Sequence, residues 1–182
     1  MTSAKVTEKS YLAGFGGQGI ISMGQIWVYF AMQEGKNVSF FPFYGAEKRG
    51  GISRAGVIVS DEEIASPLVS IPDSVLVMNS DSLPLCEEIL KPGGLMLINS
   101  TLVKESPKRK DIKVVTVEAT GLAEKVGQVR FANMVALGAL AALTGALKLT
   151  DTEAILKKFF PLDKHKFVSM NAEAIRVGYE AV

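Results

Sequence analysis

The chain has 182 residues, 48% hydrophobic and 21% charged, which is enough for one domain with a real core and too apolar for wholesale disorder. Twenty Lys and Arg against 19 Asp and Glu leave a formal net charge of +1, so electrostatics gives no reason to expect nucleic acid or a membrane surface as partner. One cysteine, Cys86, and one histidine, His165, exclude an internal disulfide framework and a cysteine-rich metal site within this sequence, and a reducing cytoplasm is the compartment expected.

In chain order, Met1 to Ser10 is polar and lacks the apolar stretch of a signal peptide. Tyr11 to Ala13 end a short apolar strand, and Gly14-Phe15-Gly16-Gly17-Gln18-Gly19 follows as a turn. Ile20 to Gln33 reads as a helix, with Gly35 placed as its stop. Val38 to Phe43, β-branched and aromatic, is the second strand. Strand, helix and strand together predict a parallel pair joined by a right-handed crossover. Tyr44 to Gly51 is a polar, glycine-rich loop. Ile52 to Ser60 has no room for a helix before it and is expected to run antiparallel, at or near the sheet edge.

Asp61-Glu62 marks a turn, Ser74 to Met78 an apolar strand, and Leu83 to Leu90 a short helix closed by Lys91-Pro92-Gly93-Gly94. Leu95 to Ile98 and Lys113 to Val117 are further strands. Between them Glu105 to Asp111 reads as a solvated connection. The rest is helical: Gly121 to Lys125, Phe131 to Leu147, Thr152 to Phe159 with Asp151 as its cap, and Phe167 to Ala181. Phe131 to Leu147 carries no charge but falls short of the roughly 20 apolar residues a spanning helix needs, and it contains Asn133 and Thr144. It is read as a buried helix with small residues for close packing. The expected architecture is α/β: a Rossmann-like, open, mixed and mostly parallel sheet with helices on both faces. Residues 1–182 form a single domain, helical from about residue 121.

The glycine turn carries the clearest chemistry. Gly14 would allow a tight exit from the strand, Gly16 and Gly17 would let backbone amides approach a ligand, and Gly19 would permit close helix–strand packing. Gln18 belongs to the same turn. Free N–H groups in the first turn of the following helix then face an anion. The competing reading is a packing turn with no ligand. A dinucleotide is disfavoured because the second strand ends in Phe40-Phe41-Pro42-Phe43-Tyr44, with no acid for a ribose until Glu47. The Gly-Lys-Ser/Thr ending of a nucleotide triphosphatase loop is missing too.

Tyr44-Gly45-Ala46-Glu47-Lys48-Arg49-Gly50-Gly51 is expected beside that turn, at the carboxyl end of the second strand. Lys48 or Arg49 can pair with phosphate or carboxylate, and Glu47 can order the arginine. The alternative is a polar loop with solvated charges. His165, between two lysines, reads as solvent-exposed, Cys86 as a packing residue, and Lys104, Lys108, Arg109 and Lys110 as a wet loop face.

Taken together, the Gly14 to Ile20 and Tyr44 to Gly51 motifs resemble the gamma subunit of 2-oxoacid:ferredoxin oxidoreductases, which include the pyruvate, 2-oxoisovalerate and 2-oxoglutarate enzymes. The resemblance continues through Ser66-Pro67, Lys91-Pro92-Gly93-Gly94, Asn99-Ser100 and Asn133-Met134-Val135-Ala136-Leu137-Gly138, and so covers nearly the whole chain. Ala46 departs from it, since the family often has proline there. The resemblance implies a subunit, inactive alone, of an enzyme that decarboxylates a 2-oxoacid, passes electrons to ferredoxin and transfers the acyl group to coenzyme A. Thiamine diphosphate, Mg and iron–sulfur clusters would sit on alpha, beta and delta-type partner subunits. This chain would contribute to the coenzyme A side of the active site. A small subunit of indolepyruvate oxidoreductase, or a free-standing NAD- or flavin-binding oxidoreductase, are the alternatives.

Overall fold

A computed structural model describes residues 7–43 and 51–182. Among these residues six strands form one sheet: β1 (Thr7–Phe15), β2 (Asn37–Phe43), β3 (Ile52–Ser60), β4 (Ser74–Val77), β5 (Leu95–Asn99) and β6 (Lys113–Val117). The helices are α1 (Ile20–Gln33), α2 (Leu83–Ile89), α3 (Ala119–Val126), α4 (Ala132–Thr144), α5 (Thr152–Phe159) and α6 (Val168–Glu180). The strand order is β2-β3-β1-β4-β5-β6, with β1, β4, β5 and β6 parallel and β3 antiparallel to both its neighbours. The mixed, mostly parallel α/β sheet is thus as expected.

One expectation needs correction. β1 and β2 do run in the same direction, but they are not a neighbouring pair, because β3 lies between them. The physical reason lies in the connections. α1 carries the chain one strand position beyond β1, and the eight residues between β2 and β3 are too few for a parallel crossover, so the chain folds back antiparallel into that gap. β3 is therefore one place in from the edge, and β2 is the edge strand.

The sheet buries both faces. Leu12 on β1 packs with Trp27 and Phe30 of α1, Leu137 and Leu140 of α4 and Ile175 of α6. Tyr11 and Ala13, pointing the other way, join Val75, Met96, Ile98 and Cys86 of α2 in a smaller cluster. All four residues of β4 are buried, as an apolar run between two parallel neighbours should be. Of the described helices only α2 supplies residues to the smaller cluster, so the two faces are covered unequally.

The uncharged run folds as the buried helix α4, and among the described residues no helix is long and apolar enough to cross a membrane. Its small residues bring it against α6. A Cβ on Gly138 would collide with the Ile175 carbonyl, and one on Gly178 with the Val135 carbonyl. Asp151 stands at the start of α5, but in the left-handed conformation (φ 53°) and with no capping bond from its side chain. The Thr152 hydroxyl instead donates to the Leu149 carbonyl at 2.6 Å.

Candidate functional site

The chain leaves β1 through α1 toward β2, and leaves β4 through α2 toward β5, on opposite sides. The strand order therefore reverses between β1 and β4, and an open sheet has its crevice at the carboxyl ends of such strands. The first glycine-rich stretch borders this point, together with Gly51 at the end of the second.

The turn is held by its own backbone and by one side chain. Gly14 is still within β1, opposite Ser53, and is not the exit from the strand. It must be glycine because an added Cβ would lie 2.6 Å from Gln18 Oε1 and 2.9 Å from the Met78 Cβ. Gln18 N–H donates to the Phe15 carbonyl (3.1 Å), and Gly17 (φ 103°) and Gly19 (φ 77°) take the left-handed conformations that favour glycine. The Gln18 side chain then spans the switch point. Its Oε1 accepts from Phe15 N–H at 2.7 Å, and its Nε2 donates to the Met78 carbonyl at 3.1 Å. Gln18 thus joins the ends of β1 and β4.

The amides differ in their availability. Gly16 N–H donates to the Gly51 carbonyl at 3.0 Å, so it is not free for a ligand. The first helical bond of α1 runs from Met23 N–H to the Gly19 carbonyl. The N–H groups of Ile20, Ile21 and Ser22 precede it, and together with those of Gly17 and Gly19 they have no acceptor among the described residues. No acid sits in the first turn of α1 to neutralise them. Gly19 has a different role from the one expected. It allows the close approach of Asn133 on α4, whose Nδ2 donates to the Gly19 carbonyl at 3.5 Å.

Beside this turn is a pocket of about 240 Å³, lined by Gly17, Gly19, Met78, Thr120, Arg130 and Asn133 among others. These residues follow or face the carboxyl ends of β1, β4 and β6. A larger cavity, about 400 Å³, lies between α5 and α6, where Arg176 is neutralised by Glu173 and Glu180 at 2.5 and 2.7 Å, and the Gly14 to Gly19 turn does not reach it. Among the described residues no group of three His, Cys, Asp or Glu could hold a metal ion.

Of the second motif, Tyr44, Gly45, Glu47, Lys48, Arg49 and Gly50 lie outside the described residues, as does Ala46. Gly51 is described, and its bond to Gly16 ties the end of that motif to the first turn. Two other expectations change. His165 is half-buried, with Nε2 3.0 Å from the Phe160 carbonyl. Arg109 does not belong to a wet face, because it pairs with Asp111 at 2.6 Å and donates to the carbonyls of Glu87 and Leu90 at the end of α2. Cys86 is fully buried, and burial pushes its thiol pKa up to about 12, which suits packing and not nucleophilic attack.

Sequence reasoning missed Arg130. Its guanidinium lies 4.0 Å above the Phe167 ring and 5.2 Å from Phe131. A signal existed: a cation just ahead of the N-terminus of α4 opposes the helix dipole, in a place where Asp or Glu would be favoured.

Residues 9–181 match the family model described as pyruvate ferredoxin/flavodoxin oxidoreductase. The chain belongs to that family. It is 39% identical over 171 residues to the ketoisovalerate oxidoreductase subunit VorA of Methanothermobacter thermautotrophicus, covering 93% of this chain and 35% of that one. The chain thus spans about a third of that relative. With the 2-oxoglutarate synthase subunit KorC of Methanothermobacter marburgensis it shares 37% identity over 94% of each. The keto/oxoacid ferredoxin oxidoreductase gamma subunit of Geobacter sulfurreducens has the same fold, with a TM-score of 0.82, 31% identity and coverage of 96% and 97%. The family member is therefore of gamma type, and the NAD- or flavin-binding alternative gains no support.

Proposed function

We propose that the chain is a single gamma-type domain that works as the gamma subunit of a 2-oxoacid:ferredoxin oxidoreductase and forms part of its coenzyme A site. The observation that carries this reading is the match over nearly the full length of both chains to subunits of 2-oxoglutarate and keto/oxoacid enzymes. A related fold occurs in the 2-oxoglutarate:ferredoxin oxidoreductase of Magnetococcus marinus, whose structure has 2-oxoglutarate, coenzyme A and succinyl-CoA bound.

The residues present fit such a ligand. Coenzyme A brings phosphates, which the unpaired amides of α1 and the cation Arg130 can hold, and no nicotinamide ribose needing an acid at the end of β2. The chain itself has one cysteine, too few to ligate a four-cysteine cluster. Thiamine diphosphate, Mg and the clusters accordingly belong to alpha, beta and delta-type partners, with ferredoxin as the electron acceptor of the complex, in the cytoplasm. What this chain does is bind and orient: Gln18 fixes the turn, the α1 amides and the Lys48–Arg49 loop receive anionic groups, and Asn133 sets the distance between α1 and α4.

A thermal-shift comparison on the assembled complex tests this reading. Coenzyme A should raise the melting temperature, whereas NAD, NADP and FAD should not. Stabilisation by a dinucleotide and none by coenzyme A would overturn it.

A further inference from the structure

A second cavity, about 230 Å³, adjoins the pocket at the glycine turn, and Arg130 and Asn133 line both. Its walls include Ser22 and Ile26 of α1, Phe131, Phe160 and Phe167, with Lys164 at its rim. Two features separate this pair of cavities from the larger one between α5 and α6. First, among the described residues neither is lined by an Asp or Glu, whereas the larger cavity is lined by Glu153 and Glu173. Second, Arg109 and Arg176 are both held by carboxylates, while Arg130 and Lys164 have no ion-pair partner among the described residues.

Arg130 is nonetheless held in place. Its guanidinium face is stacked over Phe167, which leaves the N–H groups around its edge free to donate. Three helices also begin around this cleft, α1, α4 and α6, and none has an acid in its first turn. Asp163 is near in sequence but does not line the cleft. Two uncompensated cations, three positive helix ends and an aromatic wall fit an elongated ligand that is anionic at one part and apolar or heterocyclic at another.

We propose that Arg130 and Lys164 are the contacts for the phosphates of that ligand, with Phe131, Phe160 and Phe167 as the wall for its uncharged part. Under the reading above, on which this rests, the ligand is coenzyme A. Its phosphate-bearing end then lies across Arg130, between the two cavities, and the glycine turn closes one side of the site.

Equilibrium calorimetry on the assembled complex, without 2-oxoacid so that no turnover occurs, tests this. Coenzyme A and pantetheine, which lacks the phosphates, are titrated into wild type, Arg130→Gln, Lys164→Gln and Arg130→Lys. Loss of one charge-assisted contact should weaken coenzyme A binding roughly tenfold or more in each Gln variant. Pantetheine affinity and melting temperature should stay unchanged, and Arg130→Lys should recover part of the loss. Coenzyme A affinity equal to wild type in both Gln variants would overturn the inference and leave the functional reading standing. Equal losses for coenzyme A and pantetheine would also overturn it, since the residues would then only shape the cleft. A wild-type complex that binds no coenzyme A would overturn the functional reading itself.

Discussion

Gly16 N–H donates to the carbonyl of Gly51 at 3.0 Å, joining two glycine-rich stretches that are 35 positions apart in the sequence. The bond continues the β1–β3 ladder one step past Phe15 and Ile52. It holds the end of the second motif at the switch point and takes Gly16's own amide out of ligand contact.

Gln18 should act as a strut and not as a ligand. Gln18→Ala removes the bonds to Phe15 N–H and the Met78 carbonyl, and should lower stability by about 1–2 kcal/mol in urea denaturation. Gln18→Glu keeps an acceptor for Phe15, loses the donor to Met78 and adds a negative charge beside the free amides. Its coenzyme A affinity should therefore fall further than that of Gln18→Ala. Equal affinities for the two variants would show that no anion binds near the turn.

The contact between α4 and α6 sets a second expectation. Gly178→Ala drives a methyl into the Val135 carbonyl, a backbone atom that cannot swing aside, and should cost roughly 2–3 kcal/mol. Gly121→Ala in α3 meets its nearest neighbour only at 3.9 Å and should be neutral or more stable by up to about 1 kcal/mol through helix propensity. Thermal melts of the two variants check this, and similar losses in both would contradict the packing described.

How much of this was legible depended on whether the signal was local. The limits of α1, β3, β6 and α5 could be read directly, because turn residues and a change of hydrophobic period bracket each one. The insertion of β3 between β1 and β2 could not, since strand order follows from how far a crossover reaches and leaves no mark on the strands themselves. The site divides in the same way. The Gly14 to Gly19 turn announced itself by composition, but the role given to Gly16's amide was wrong because Gly51 accepts from it. Arg130 and Lys164 each sit ahead of a different helix, and only the packing of α4 and α6 beside α1 brings them to one cleft.

Glu8 gives a pH signature. Burial, helped by nearby Asp73, raises its carboxyl pKa above the ordinary value, against the bonds from the Ser74 and Ser10 hydroxyls and the charge of Lys91. A raised folded pKa means that the folded state binds the proton more tightly than the unfolded one, so this group's contribution to stability falls as pH rises from the ordinary carboxylate range through its folded value. Glu8→Gln keeps an acceptor for both hydroxyls and removes the charge. The variant should melt higher than wild type at neutral pH, and the gap should shrink as pH falls through that window. A gap that widens on acidification would reverse the sign assigned here.

Hydrogen–deuterium exchange on the assembled complex, with and without coenzyme A, tests the central claim most directly. Coenzyme A should slow exchange at the amides of residues 17–22 and 129–134, which form the two sides of the cleft. Unchanged exchange in both segments, with protection confined to other subunits, would place coenzyme A elsewhere and contradict the account.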